Sequence, residues 1–175
     1  MTILEAKKQL EIASSDTAHD EHILLNIQAA REQWEHDTDS ALMTQTLKMT
    51  FPDFCDDDID LARRPIQSIT HIKYYDTGGT LTTLSSSVYG LDKPSREVRL
   101  SHLQQWPTVQ DRWDGVAVTY VAGYASRSLV PAIAKQAILL LVGYYFDANR
   151  GDNDRPNDMR AYESLVTRFM RAGYP

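Results

Sequence analysis

The segment from Gly115 to Phe146 constrains the fold most, because a strand pattern in it passes into a long apolar helix pattern. Pro131 stands where a helix can begin without the N–H that proline lacks, and residues 132–146 are apolar almost all round. Lys135 and Gln136 interrupt this apolar run, which is also shorter than the ~20 residues that cross a bilayer. The sequence therefore predicts a central buried helix and no membrane span.

Three further helical patterns lie towards the two ends of the chain. Thr2 and Glu5 have the spacing of a capping box, which predicts a first helix that ends near Ile12. Residues 20–36 carry an apolar stripe at helical spacing, formed by Ile23, Ile27, Ala30 and Trp34. Residues 159–175 predict a last helix, with inward side chains at Leu165, Val166 and Phe169.

The middle third of the chain carries strand patterns. From Thr44 the apolar period changes to two, and residues 65–75 are rich in β-branched and aromatic side chains. The turn Asp76-Thr77-Gly78-Gly79 follows at once and precedes TLTTL, which predicts a tight β-hairpin. Short strands are also predicted around residues 96–100 and 115–121, and together these strands make a small antiparallel sheet.

These patterns predict an α+β fold, mainly a helical bundle with a small antiparallel β-sheet and hairpin region inserted into it. The 175 residues suit one domain over 1–175, which is helical in 1–40 and 128–173 and β-rich in about 43–122. A domain of this size buries roughly 70% of its unfolded surface, so its core needs no covalent staple.

Charge is distributed unevenly along the chain. Residues 1–60 hold four Lys or Arg against fourteen Asp or Glu, a net charge of −10, so residues 61–175 hold +4 of the total of −6. Such asymmetry suits subunits that meet head-to-tail, and a solvated acidic face explains it equally well. An acidic chain does not favour tight binding of nucleic acid.

Cysteine usage and the start of the chain indicate synthesis in the cytosol. Cys55 is the single cysteine and cannot form an internal disulfide. Its neighbours in sequence include no cation that would make it a nucleophile. No charged-then-apolar leader follows Met1.

Three kinds of residue cluster could carry chemistry, and each has a simpler structural explanation. Asp76-Thr77-Gly78 matches the aspartic-protease tripeptide, but a hairpin turn explains the same residues. The acidic groups in 56–60 and 152–158 could gather around a cation, yet neither has the pattern of a calcium loop. His19 and His22 lack a third ligand at metal-site spacing. The sequence therefore predicts no enzyme, no metal site and no cofactor.

Several ordered segments carry a more specific indication. They are LEAKKQL, HILLNIQAAREQWE, RRPIQSITHIKYYDTGGTLTTL, Trp106-Pro107, VAVTYVAGY, and AILLLVGYYF after Val130-Pro131. Through these segments most of the chain resembles the head–tail connector, or adaptor, proteins of tailed bacteriophages and prophages. The motifs mark packing positions and turns, so the resemblance implies an architecture and a role and carries over no catalytic residue.

The resemblance implies a structural virion protein at the head–tail junction, made in the cytoplasm of a bacterial host. Its expected partners are the portal protein, a downstream connector, stopper or tail-completion protein, and on the order of a dozen copies of itself in a ring. DNA would pass through this ring without sequence-specific binding, which suits an acidic chain. Candidate contacts with subunits or portal lie in the hairpin tip and the last helix: Asp76, Thr77, Gly78, Gly79, Tyr162, Phe169, Arg171 and Tyr174.

Two other classes of function stay open, because fold and packing motifs alone do not define function. One is a small hydrolase that uses an unmarked carboxylate pair, with a metal at Asp56 to Asp60. The other is a general oligomerising module that has no connection with phage.

Overall fold

The structure is a computed structural model that describes residues 1–54, 58–149 and 156–172. The chain divides into two compact units: unit 1 comprises Met1–Leu42 and Ser126–Tyr174, and unit 2 comprises Met43–Ala125. Unit 1 contains the helices α1 (Ile3–Gln9), α2 (Asp20–Thr38), α3 (Ala132–Asn149) and α4 (Pro156–Arg171). Unit 2 contains the strands β1 (Gln45–Phe51), β2 (Ile59–Asp60), β3 (Ile66–Tyr75), β4 (Leu81–Thr83), β5 (Tyr89–Asp92), β6 (Glu97–Leu100) and β7 (Val116–Ala122). Within the described ranges, no helix combines the length and the apolarity needed to span a membrane.

Helix α3 is the central helix of unit 1, as its apolar sequence predicts, and it contacts each of the other three helices. Trp34 of α2 is fully buried and meets α4 edge-on, with its ring centroid 5.0 Å from that of Phe169 and 6.3 Å from that of Tyr162. The predicted apolar stripe of α2 is confirmed, because Ile23, Ile27 and Ala30 are buried together with Trp34.

Helix α1 begins with the predicted capping box. The Glu5 N–H donates to Thr2 Oγ1 at 3.2 Å, and the Glu5 carboxylate accepts from the Thr2 N–H. These hydrogen bonds hold the pKa of Glu5 below its ordinary value. The helix ends at Gln9, earlier than Ile12, and Glu11 then takes a left-handed conformation with φ 57° that cannot continue a helix.

Lys7 fixes the turn between α1 and α2. Its Nζ is 2.5 Å from Asp20 Oδ1 and 2.7 Å from the Asp16 carbonyl oxygen, and the residue is only 3% exposed. We expect Lys7→Met to lower the free energy of unfolding by about 2–3 kcal/mol, because Asp20 would keep a partly buried charge without its partner. Lys8→Met, on the exposed side of the same helix, should change it by less than about 0.5 kcal/mol. Chemical denaturation compares the two variants, and equal losses in both would contradict the prediction.

Unit 2 contains two antiparallel sheets where the sequence predicts one small sheet. Their strand orders are β1-β7-β3-β4 and β2-β6-β5. The α+β prediction is confirmed, but a mainly helical bundle is not supported, because the strands make up a substantial part of the fold. The sequence does not reveal β2 and β5, because they have only two and four residues and are defined by their pairing with β6.

Strand β7 is an inner strand of the four-stranded sheet and lies between β1 and β3. Its predicted alternation is confirmed, since Val116, Val118 and Tyr120 are fully buried on one face. The Tyr120 hydroxyl donates to the Ala62 carbonyl oxygen at 2.5 Å, which satisfies this polar group within the core.

Candidate functional site

The Asp76 side chain holds the tip of the β3–β4 hairpin. Its Oδ1 accepts hydrogen bonds from the backbone N–H groups of Gly78 and Thr80, both at 2.9 Å. Gly79 has a φ of +82°, a conformation that residues with a side chain rarely adopt. The predicted hairpin turn is therefore confirmed, and the carboxylate of the Asp-Thr-Gly tripeptide serves as its capping group.

A loop of unit 2 braces the hairpin just below this tip. The Gln110 N–H donates to the Tyr75 carbonyl oxygen at 3.0 Å, and the Arg112 guanidinium lies 3.7 Å from the centre of the Tyr75 ring. Arg112 also donates two hydrogen bonds to the Asp114 carboxylate, which lower the pKa of Asp114 and raise that of Arg112. On the other side of Trp113, the Tyr75 N–H donates to the Gly115 carbonyl oxygen at 2.9 Å, so the loop is fixed to the hairpin both before and after Trp113.

Two large apolar side chains stand exposed on this braced tip. Trp113 is 79% exposed between Arg112 and Asp114, and Leu81, which pairs with Tyr75 across the hairpin, is 50% exposed. We call residues 77–81 together with Trp113 the hairpin knob. Its backbone is held by the turn hydrogen bonds, so its apolar groups are presented on a rigid support.

Helix α4 carries the other predicted contact residues, and the structure places them differently. Tyr162 and Phe169 are 2% and 1% exposed, because both rings pack against Trp34. The Tyr162 hydroxyl also donates to Asp37 Oδ2 at 2.6 Å, and burial together with this carboxylate raises the pKa of Tyr162. Arg171 is exposed, and Tyr174 lies outside the described residues. Tyr162 and Phe169 therefore hold α4 on α2.

The acidic cluster at Asp56 to Asp60 is described only in part, because Asp56 and Asp57 lie outside the described residues. Arg99 is 3.0 Å from Asp58 and also pairs with Asp92 and Glu97. Arg99, in the three-stranded sheet, therefore offsets part of the negative charge of these three carboxylates, and Asp60 lies 4.0 Å from Arg96. The residues of 152–155, like Cys55, fall outside the described part of the chain.

The histidine pair packs on an aromatic ring. The His19 and His22 rings lie 5.7 and 6.2 Å from the Phe146 ring of α3, measured between centroids. Within residues 1–54, 58–149 and 156–172, no three His, Cys, Asp or Glu side chains are grouped so that they could hold a metal ion.

Comparison with known proteins identifies a shared fold. No protein-family model matches the chain, and no curated protein sequence matches it. Its fold is that of chains in gene transfer agent particles. One such chain, in the virion of a native gene transfer agent (GTA) particle, has a TM-score of 0.70 and 22% identity. The match covers 84% of this chain and 78% of that one.

Two further similar chains come from necks of these particles. In the neck of an empty GTA particle, computed with C6 symmetry, the TM-score is 0.70 at 22% identity, over 84% of this chain and 77% of that one. In the neck of a native GTA particle, computed with C12 symmetry, the similar chain has a TM-score of 0.64 and 22% identity. This match covers 83% of this chain and 75% of that one. The likeness extends over most of each chain and establishes the architecture.

The sequence analysis missed the exposed apolar residues. Trp113 has no periodic context that would mark it, so only its exposure in the folded loop reveals it. Leu24 and Leu25 could have been found, because helical spacing places them with Glu21, Gln28 and Glu32 on the polar side of α2. In the structure, Leu24 and Leu25 are 53% and 62% exposed.

Proposed function

We propose that this protein is a structural component of the neck of a phage-like particle, at the junction of head and tail. The observation that carries the proposal is the fold, which matches chains of a GTA virion and a GTA neck over 84% of this chain at a TM-score of 0.70. The resemblance of the ordered sequence segments to head–tail connectors supports the same role. Both lines of support concern a structural part of the particle and involve no catalytic group.

Within the neck, the protein acts as an adaptor that docks as a ring under the portal. It joins the DNA-filled head to a downstream connector, stopper or tail-completion protein. The C6 and C12 symmetries with which the similar necks were computed support a closed ring of about twelve copies. The net charge of −6 suits a conduit wall along which DNA slides, since acidic side chains repel phosphates.

The hairpin knob and the outer face of α4 are the proposed contact surfaces for the portal and neighbouring subunits. Exposed tryptophan is the type of side chain that anchors protein interfaces, and the Arg112–Asp114 ion pair fixes the loop residues on either side of Trp113. Asp76 to Gly79 set the shape of the knob. On α4, the exposed Arg171 is a proposed contact, and Tyr162 and Phe169 fix the helix that presents it. Tyr174, which lies outside the described residues, stays a proposed contact.

Binding to the portal tests the proposed role directly. Purified protein is mixed with portal rings from the same genome, the mass of the complex is measured by light scattering, and the complex is imaged by electron microscopy. We expect a ring of added density under the portal, from which the copy number can be counted. An absence of association at every salt concentration would contradict the adaptor role.

Replacement of Trp113 tests the hairpin knob. We expect Trp113→Ala to weaken binding to the portal ring by at least about tenfold, because it removes the largest exposed apolar group of the knob. Leu103→Ala is the matched control, since Leu103 is 88% exposed in the same unit but lies outside the knob. Equal binding by wild type and both variants, measured by titration against immobilised portal, would exclude the knob from the contact.

A further inference from the structure

An open groove runs between α3 and α4 on the surface of unit 1. Its volume is about 680 Å³, and its lining residues are Ala132, Ile133, Gln136, Leu140, Ala161, Ser164, Leu165 and Arg168. The floor is therefore largely apolar. Among the described lining residues, the charge is carried by Arg168, and the exposed Lys135 precedes Gln136 on the same helix. The groove combines an apolar floor with one exposed cation, Arg168.

A second surface of unit 1 has the complementary character. Leu24 and Leu25 on α2 are 53% and 62% exposed, on the side of the helix away from its buried stripe. The exposed residues around them include Glu21, Gln28 and Glu32, and the exposed Arg31 precedes Glu32. We call Leu24, Leu25, Glu21, Gln28 and Glu32 the leucine patch. It is an apolar ridge with acidic neighbours, and Leu24, Gln28 and Glu32 follow one another at the four-residue spacing of a helix ridge.

We propose that the leucine patch of one copy docks into the α3–α4 groove of the next copy. The ridge of α2 supplies apolar side chains to an apolar floor, in the manner of a helix packing into a groove. The acidic Glu21 and Glu32 meet a groove whose lining carries the exposed cation Arg168, so charge favours a second copy of this chain as the occupant. This inference rests on the ring that the proposed function requires.

The two surfaces belong to different helices of the same unit, so the contact is heterologous. Each copy keeps an unfilled groove and an uncovered patch after it has bound one neighbour, and a ring closes when the last groove receives the first patch. The uneven charge of the chain has a structural counterpart in this pair, because α2 is acidic and the groove lining carries Arg168.

Mixing two defective variants tests the contact. Leu25→Asp places a charge in the patch and leaves the groove intact, whereas Ala161→Glu places a charge in the groove and leaves the patch intact. In sedimentation velocity, the wild-type chain should associate with increasing concentration, and each variant alone should stay monomeric, with at least about a tenfold weaker self-association. An equimolar mixture should form a complex of two chains that grows no further. The intact groove of the Leu25→Asp chain and the intact patch of the Ala161→Glu chain are the one pair of surfaces left to bind.

Two controls distinguish the loss of this contact from a folding defect and from a nonspecific change in association. Leu103→Asp changes an 88% exposed leucine of unit 2 and should associate like the wild type. Thermal unfolding confirms that each variant is folded. The proposal is overturned if the mixture associates no better than its components, if both variants associate like the wild type, or if the wild type is monomeric at about 1 mM.

The same proteins keep this inference distinct from the proposed function. If the mixed variants fail to pair while the wild type still binds the portal ring, the α2–groove contact is wrong and the adaptor role stands. If the variants pair while the wild type does not bind the portal, the contact between copies stands and the adaptor role is wrong.

Discussion

Gly123→Ala should lower the free energy of unfolding of unit 2 by about 3 kcal/mol or more. Gly123 has a φ of +102°, and a Cβ atom at this position would lie 2.1 Å from the Met43 carbonyl oxygen. The backbone cannot move aside, because the Gly123 N–H donates to the Pro65 carbonyl oxygen at 2.8 Å and the Gly123 carbonyl accepts from Gln67 Nε2 at 2.7 Å. Alanine at position 123 would therefore suffer both backbone strain from its positive φ and steric overlap with the Met43 carbonyl oxygen.

Gly90→Ala is the matched control for this prediction. A Cβ atom at Gly90, in strand β5, would meet no atom within 4 Å, so its effect should stay within about 0.5 kcal/mol. Urea denaturation followed by circular dichroism measures both variants. If Gly123→Ala unfolded at the same urea concentration as the wild type, the tight junction between Gly123 and Met43 would be incorrect.

Trp34→Ala should destabilise unit 1 by about 3–5 kcal/mol, the usual range for removing a large aromatic side chain from a core. The Trp34 ring is fully buried and contacts both Tyr162 and Phe169, which hold α4. Its loss leaves a cavity and removes the packing that aligns α4 beside α3. The variant should therefore lose self-association together with stability.

Trp113→Ala provides the control, because the same substitution at a 79% exposed side chain should change the free energy of unfolding by less than about 0.5 kcal/mol. Calorimetry and chemical denaturation of the two variants separate the core tryptophan from the surface one. Equal destabilisation by the two substitutions would show that the assignment of Trp34 to the core is wrong. The pair also distinguishes a folding defect from a loss of portal binding.

Part of the fold could be predicted because its signals are short in sequence. Thr2 and Glu5 form the capping box within one helical turn, and Asp76 closes the hairpin tip through bonds to Gly78 and Thr80. The stripe that ends at Trp34 marks the buried face of α2 by its period alone. Of the three-stranded sheet, β6 was predicted as a strand, whereas β2 and β5 were not, because they have only two and four residues and are defined by their pairing with β6.

The sequence predicted which segments hold the candidate contacts, but it did not predict which side chains in those segments are exposed. The hairpin tip is exposed, as a contact requires, but Tyr162 and Phe169 are buried by Trp34, which lies more than a hundred positions earlier in the sequence. The sequence of α4 marks both residues as apolar and leaves open whether a partner or the chain itself covers them. In the structure, Trp34 of the same chain packs against both rings.

The sequence by itself determined where most helices and strands begin, how the hairpin turns and which face of α2 is apolar. These features depend on hydrogen bonds and side-chain periods within a few residues. Only the tertiary structure decided that the strands form two sheets, that Tyr162 turns inward on α4 beside the predicted Phe169, and that a groove opens beside α3. Those outcomes depend on packing between residues far apart in the chain. Each apolar residue has many chemically equivalent partners in the sequence, and only the packed core selects one of them.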